Sequence, residues 1–303
     1  VGLEIKREVL VGELSSFRNA LLPIIAAIGG MGVPVIIYWF MSKGTAYASG
    51  AAIPMATDIA FSLGVLAMLG NRVPIGLKVF LTTLAVVDDI GGIIVIAAFY
   101  STHIDYMLLL YAAACMLVLF VGGKLGIQSK MFYVFLGAVV WFCFLNAGIH
   151  PTIAGVLVAF CVPAKPVYAP MKYIKTIRQN ISFFAHEDDE HLNSRTILSK
   201  EQMNWLKEIE SSSDKVISPL QDMEDTLHPL VNYIIVPLFA FANAGIFFGN
   251  MEISQLFHGI APAIIVSLIG GKFLGIFLFA ALCILLKWAP MPEGSTWGSL
   301  AAV

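Results

Sequence analysis

Long apolar runs alternate with short polar breaks along this chain, and the runs have the length of membrane-crossing helices. About 20 apolar residues cross a bilayer as a helix. Runs of that order lie near 20–41, 48–70, 75–100, 104–123, 131–146, 147–163, 227–248 and 259–287. Eight spans are therefore predicted, and a ninth run begins near Thr296. The fifth and sixth runs are short and meet at Asn146-Ala147-Gly148, a tight turn that predicts two helices rather than one long one. The one long polar stretch is 164–226. Within it, Ser199 to Lys215 mixes Glu, Lys, Leu, Ile and Met at near-helical spacing, which predicts a short amphipathic helix packed on the membrane base. The predicted organisation is a membrane domain over 1–163 with six spans, a partly helical loop over 164–226, and a second membrane domain over 227–303 with two spans and the start of a third.

Composition agrees with this pattern. Of 303 residues, 58% are hydrophobic and only 13% charged, with a mean hydropathy of +0.84, too apolar for a soluble domain of this size. Cys115, Cys143, Cys161 and Cys283 fall singly inside apolar runs, so they read as packing residues rather than a disulfide framework or zinc site. The chain starts at Val1 and stops at Val303 just as an apolar run resumes, as expected of a fragment cut at both ends.

Basic residues set the orientation, because cytoplasmic loops retain Lys and Arg. With the N-terminal segment inside, sixteen of the 18 Lys and Arg lie in inside segments, eight of them between Lys165 and Lys215, and Lys43 alone lies outside. The N-terminal segment and the 164–226 loop are thus expected to be cytoplasmic. The acidic run Glu187-Asp188-Asp189-Glu190 in that loop lacks the ligand spacing and glycine of a calcium loop, and reads as a solvated stretch.

Four charges remain inside the spans: Asp58 in the second, Asp88 and Asp89 in the third, and Lys272 in the eighth. Insertion scales put each at about 2.5–3.5 kcal/mol at a helix centre, so the four together cost on the order of 10 kcal/mol. A purely structural ion pair, Lys272 with one Asp, accounts for two of the four and leaves two carboxylates over. Neighbouring helical residues point about 100° apart, so Asp88 and Asp89 cannot chelate one ion symmetrically; one is expected to face a cavity and the other a neighbouring helix. Gly91-Gly92 and Thr82-Thr83 around them permit close packing and water. Pro54 in the second run predicts a kink or break near Asp58, and Thr57 adds a hydroxyl beside that acid. Carboxylates, a hydroxyl and freed carbonyls suit a hard monovalent cation.

The stretches Ala56-Thr57-Asp58-Ile59-Ala60-Phe61-Ser62-Leu63-Gly64-Val65-Leu66, Arg72-Val73-Pro74 and Leu84-Ala85-Val86-Val87-Asp88-Asp89-Ile90-Gly91 closely resemble the NhaA family of Na+/H+ antiporters. Further matches are Gly2-Leu3-Glu4-Ile5-Lys6-Arg7-Glu8, Gly148-Ile149-His150-Pro151-Thr152-Ile153-Ala154-Gly155, Pro237-Leu238-Phe239-Ala240-Phe241-Ala242-Asn243-Ala244-Gly245 and Gly270-Gly271-Lys272-Phe273-Leu274-Gly275. The resemblance covers nearly the whole chain except 164–222, a stretch longer than the family's usual connection. It implies an all-α polytopic membrane protein of the NhaA-type inverted-repeat fold, with discontinuous crossed helices. Pro292-Glu293-Gly294 matches the approach to the second broken helix, whose central break is expected beyond Val303, so a chain lacking it is not expected to transport by itself.

The resemblance also implies roles. Asp88 and Asp89 match the Na+-binding and proton-exchanging carboxylates, Asp58 and Thr57 the acid and hydroxyl of the broken helix, and Lys272 the lysine that compensates the crossed helix ends and can pair with Asp88. Glu4, Arg7, Glu8, His150, Glu224 and His228 match positions implicated in pH response. The implied activity is exchange of cytoplasmic Na+ or Li+ for external H+ by alternating access, electrogenic and pH-regulated, in a bacterial inner membrane, by a homodimer in contact with lipid. No cofactor, nucleic acid or ATP is expected, since no Gly-rich phosphate loop is present. An intramembrane aspartyl protease built on Asp58 and Asp89 is the rival, but neither acid has the Gly-x-Gly-Asp context of such enzymes. An ion sensor or channel would keep the acids without coupling.

Overall fold

The computed structural model describes residues 1–55, 62, 66, 68–69, 72–99, 104–166, 170–184, 199–244 and 259–302. All regular secondary structure among the described residues is helical. The amphipathic α1 (Gly2–Val11) leads through a single tight turn, Glu13–Ser15, into α2 (Phe17–Ser42). The next long helices are α3 (Ile75–Phe99), α4 (Tyr106–Lys124) and α5 (Lys130–Asn146), followed by the short α6 (Pro151–Cys161). The polar stretch holds α7 (Pro170–Phe184) and α8 (Lys200–Val216). A continuous helix then runs through α9 (Pro219–Leu230), a π-helical turn at Val231–Ile235 and α10 (Val236–Ala244). A second one runs through α11 (Ala261–Ile265), a π-helical stretch at Val266–Gly271 and α12 (Lys272–Leu285). Finally α13 covers Trp297–Ala302.

Five of the described helices are long and apolar enough to cross a membrane: α2, α3, α4, and the continuous helices 219–242 and 261–285. Their ends follow local chemistry. The Asp105 carboxylate accepts the backbone N–H groups of Met107 and Leu108 at the start of α4, replacing partners that a first helical turn lacks. Ser199 and Gln202 form a reciprocal capping box on α8. Ser218 caps α9, with Pro219 in the first turn, where its missing N–H costs nothing. Gly148 adopts φ +78° in the turn between α5 and α6, a conformation that favours glycine, so that run does divide into two helices.

The second apolar run departs from the sequence expectation. Its first residues are not a membrane helix: Ala48–Gly50 form one tight helical turn and 51–55 are turn residues. Pro54 is fully buried in that turn and so does not kink a helix from within; a turn tolerates proline because it does not need the missing N–H. Ser62, Leu66, Met68 and Leu69 are helical.

Among the described residues two apolar cores divide the bundle. One joins α2, α3, α12 and α13 through Leu22, Ala26, Leu77, Phe80, Leu84, Ala280, Cys283 and Leu300. The other joins α4, α5, α6 and α9 through Ala112, Leu119, Tyr133, Val140, Phe144, Ala154 and Met223. Helix α1 lies between them and touches α3, α6 and α9.

Candidate functional site

The site is built on the contact between α2 and α12. A Cβ on Gly275 would lie 2.2 Å from the Gly29 carbonyl oxygen, and one on Gly271 would lie 2.9 Å from the Pro34 backbone. The two backbones therefore touch, as small residues spaced four apart allow in membranes. That contact fixes the height of Lys272, the first residue after the π-helical stretch. A π-helical turn adds a residue to the helical repeat and re-aims the side chains that follow.

Helix α3 supplies the other half. Leu77, Leu81, Leu84, Ala85, Asp88 and Gly92 are buried along it, a spacing that turns one stripe inward. Asp88 is 8% exposed and Lys272 9%, and Lys272 Nζ lies 2.5 Å from Asp88 Oδ2. This is a charge-assisted hydrogen bond in an apolar shell. Removing either partner would take from the other the ion pair that offsets its burial. The pair borders a cavity of about 300 Å3 whose lining includes Ala27, Gly30, Ser62, Leu84, Ile276 and Leu300. Asp89 is half-buried and is not among the residues lining this cavity; the charges acting on it include Asp88, Glu4 and Lys272. The adjacent acids thus have different surroundings, as their 100° separation requires.

The surrounding glycines and threonines have specific partners. A Cβ on Gly91 would lie 2.3 Å from Met31 Sδ, so this glycine admits α2. The Thr82 hydroxyl donates to the Lys78 carbonyl at 2.9 Å. The Thr83 hydroxyl donates to Glu8 Oε1 at 3.1 Å, and the same oxygen accepts the Glu13 N–H at 2.9 Å. A hollow of about 550 Å3 beside these residues is lined by Glu8, Glu13, Lys78, Thr82 and Thr83 among others, five residues before Asp88 on the same helix.

The remaining candidates divide. Thr57 and Asp58 lie outside the described residues, although Ser62, four positions on, lines the Asp88 cavity. Arg7 Nη1 and Glu224 Oε1 form an ion pair at 2.6 Å between α1 and α9. Glu4 stands on α1 one turn before Arg7. His150 Nδ1 meets Thr152 Oγ1 at 2.8 Å at the start of α6. His228 meets Asn232 one turn along its own helix. Neither histidine contact extends to the Asp88–Lys272 pair.

Three contributors escaped the sequence reading. Gly29 and Gly275 were visible only as small residues, and their pairing became evident from the structure. Leu300, Ala301 and Ala302 of α13 close one side of the Asp88 cavity. Lys6 donates to the carbonyls of Phe160 (2.7 Å) and Val162 at the end of α6, where a cation offsets the helix dipole; burial pushes its ammonium below the usual lysine range, with Cys161 opposing the shift.

Comparison with known proteins gives one consistent result. The model of the family described as Na+/H+ antiporter 1 matches residues 1–303. The chain is 56% identical to a Na+/H+ antiporter NhaA of Phocaeicola vulgatus, over all of this chain and 67% of the relative. It is 53% identical to one of Bacteroides thetaiotaomicron, over all of this chain and 68% of the relative. With Na+/H+ antiporter NhaA 1 of Psychromonas ingrahamii the identity is 44%, over 98% of this chain and 67% of the relative.

Proposed function

The chain belongs to the Na+/H+ antiporter 1 family, and on that premise we propose that it exchanges cytoplasmic Na+ or Li+ for external H+ at Asp88 and Asp89. The observation that carries the assignment is the buried Asp88–Lys272 pair beside a cavity. In the paired form the carboxylate is already neutralised by an ammonium. A cation that binds Asp88 competes with Lys272 for the charge of that carboxylate, and so does a proton. Cation, proton and lysine thus compete for one carboxylate, and that competition couples the two fluxes.

In this cycle the ionised carboxylates take Na+ from the cytoplasmic side. The hollow lined by Glu8, Glu13, Lys78 and Thr83 is a route of approach, since its two acids outnumber its one lysine. The loaded site then opens outward, releases Na+ and takes up protons, and the protonated form turns inward. Asp88 and Asp89 can each carry one proton, so two H+ against one Na+ moves net charge and makes the exchange electrogenic. Asp58 and Thr57 are assigned to the same site on their family motif. Glu4, Arg7, Glu8 and Glu224 are assigned to pH response on their family motif, supported by the Arg7–Glu224 pair that joins α1 to α9. The histidines His150 and His228 are assigned there on family resemblance alone. The same reading assigns the protein to the bacterial inner membrane as a homodimer, on family resemblance, and α1 and the 164–226 segment to the cytoplasmic side, on the distribution of Lys and Arg.

Everted vesicles carrying the gene product as the cell makes it test this reading. Addition of Na+ should release protons from the vesicle interior and dissipate a preformed gradient. Asp88→Asn and Asp89→Asn should each abolish the response; normal exchange by either variant would refute the assignment.

A further inference from the structure

The α7–α8 hairpin takes no part in the exchange cycle, and one of its faces is unaccounted for. Its two ends meet at one point of the bundle: the Leu220 N–H, in the first turn of α9, donates to the Pro163 carbonyl just past α6, at 3.1 Å. The hairpin therefore leaves and rejoins the protein where α6 ends and α9 begins, and on the topology proposed above this is the cytoplasmic end of the bundle, beside the bilayer surface.

The two helices run antiparallel. The Phe183 and Trp205 rings lie 5.7 Å apart at one end, and Lys215 Nζ lies 5.3 Å from the centre of the Tyr173 ring at the other. Tyr173, Thr176, Ile177 and Asn180 form the more buried face of α7, a helical stripe of positions i, i+3, i+4 and i+7. Outside that face, from its flank round the helix, Met171 is 65% exposed, Ile174 46% and Ile181 54%. Lys172, Lys175 and Arg178 are exposed around these three, and α7 carries no acidic residue. A helix with an apolar stripe, a basic border and a position at the bilayer surface has the properties of one that lies in the membrane interface.

We propose that α7 docks on an anionic phospholipid surface, with Met171, Ile174 and Ile181 in the headgroup region and Lys172, Lys175 and Arg178 on the lipid phosphates. Charge decides among the possible occupants. An uncharged apolar partner would leave three cations uncompensated, and the same face of a second copy would bring three more. An anionic bilayer matches both the stripe and its border. This inference rests on the membrane topology proposed above and does not depend on the exchange mechanism.

Hydrogen–deuterium exchange of the intact protein in nanodiscs, one molecule per disc, tests it without altering the sequence. Residues 170–184 should exchange more slowly in discs containing phosphatidylglycerol than in phosphatidylcholine alone, and high salt should remove the difference. Each basic residue near an anionic surface contributes about fivefold to partitioning, so three contribute on the order of a hundredfold. The variant K172E/K175E/R178E should lose the lipid-dependent protection, with 200–216 of α8 as the internal reference for folding. Equal protection in both lipids at low salt would overturn the proposal, pointing to no docking if exchange is fast and to an apolar protein contact if it is slow. Because the salt titration uses the unaltered chain, the result stands even if the triple variant misfolds.

Discussion

The two halves of the bundle are both apolar, yet they are packed for different ends. In the α4–α5–α6 half the buried centre is side chain on side chain, through Leu119, Tyr133, Val140 and Phe144, while a close backbone approach, Gly123 to the Cys161 carbonyl, and the Lys and Asp residues Asp105, Lys124 and Lys130 lie at helix ends. In the α2–α3–α12 half, backbone touches backbone at Gly29 and Gly275, and a carboxylate and an ammonium sit at the centre. Side chain packing alone suffices to hold helices together in a bilayer. The glycine contact lets α12 come close enough to α2 to set Lys272 at the depth of Asp88. The charged half carries the cost of a buried pair, and the proposed exchange is assigned to that pair.

The largest expected contrast pairs a charge with a methyl cluster. Asp88→Asn leaves Lys272 buried without its carboxylate, at a cost of about 3–5 kcal/mol, and should eliminate exchange. Leu119→Ala in the other half should cost a similar 2–5 kcal/mol through the cavity it leaves. Molecules that remain folded should nevertheless exchange with unchanged cation dependence. Thermal unfolding in detergent, run beside vesicle exchange, checks both; loss of exchange per folded molecule in Leu119→Ala would dissolve the contrast.

The next contrast is between glycines. Gly275→Ala would place a methyl against the Gly29 backbone, which cannot yield without moving a helix. Exchange should fall at least tenfold, with Lys272 displaced from Asp88. Gly137→Ala on α5 would meet only the Val158 side chain, at 3.1 Å, which can rotate or shift. Activity there should stay within about twofold, since a helical Gly→Ala itself gains roughly 0.5–1 kcal/mol. Initial rates of Na+-driven proton release would show the difference.

The smallest effect concerns the link between the halves. The Arg7–Glu224 pair joins α1 to α9, and because the arginine is half exposed its contribution to stability should stay under about 1 kcal/mol. Arg7→Ala should leave the maximal rate nearly intact and move the pH at which exchange switches on. The double exchange of Arg7→Glu with Glu224→Arg should restore the profile in part. An unshifted pH profile in Arg7→Ala would remove this pair from the regulatory assignment.

What the sequence disclosed and what it hid follow from the same physics. Membrane helices announce themselves by hydropathy, and Asp88, Asp89 and Lys272 stand out because charge in an apolar run is rare. Hydropathy measures composition rather than hydrogen bonding, so it carried the second run through Ala48–Met55, which is turn, and missed the π-helical stretch ahead of Lys272. Hydropathy marks a seventh span from 227, and the helix that carries it begins earlier, at Pro219. The intervening Gln221, Asp222, Glu224 and Asp225 are polar, yet Ser218-Pro219 is a helix-start signal that was there to be read. Helix α7 went unpredicted because its apolar positions are few and interleaved with Lys and Arg. The Gly29–Gly275 contact could not be read at all, since a single sequence does not say which small residues of two distant helices meet.

The central claim is that Na+ and H+ compete for the carboxylate that Lys272 holds. Calorimetric titration of the purified gene product with Na+ across a range of pH tests it most directly. The account predicts that affinity weakens by about tenfold per pH unit for each proton displaced as the site becomes protonated, and that Asp88→Asn abolishes binding. Affinity independent of pH throughout, or undiminished Na+ binding by Asp88→Asn, would contradict it.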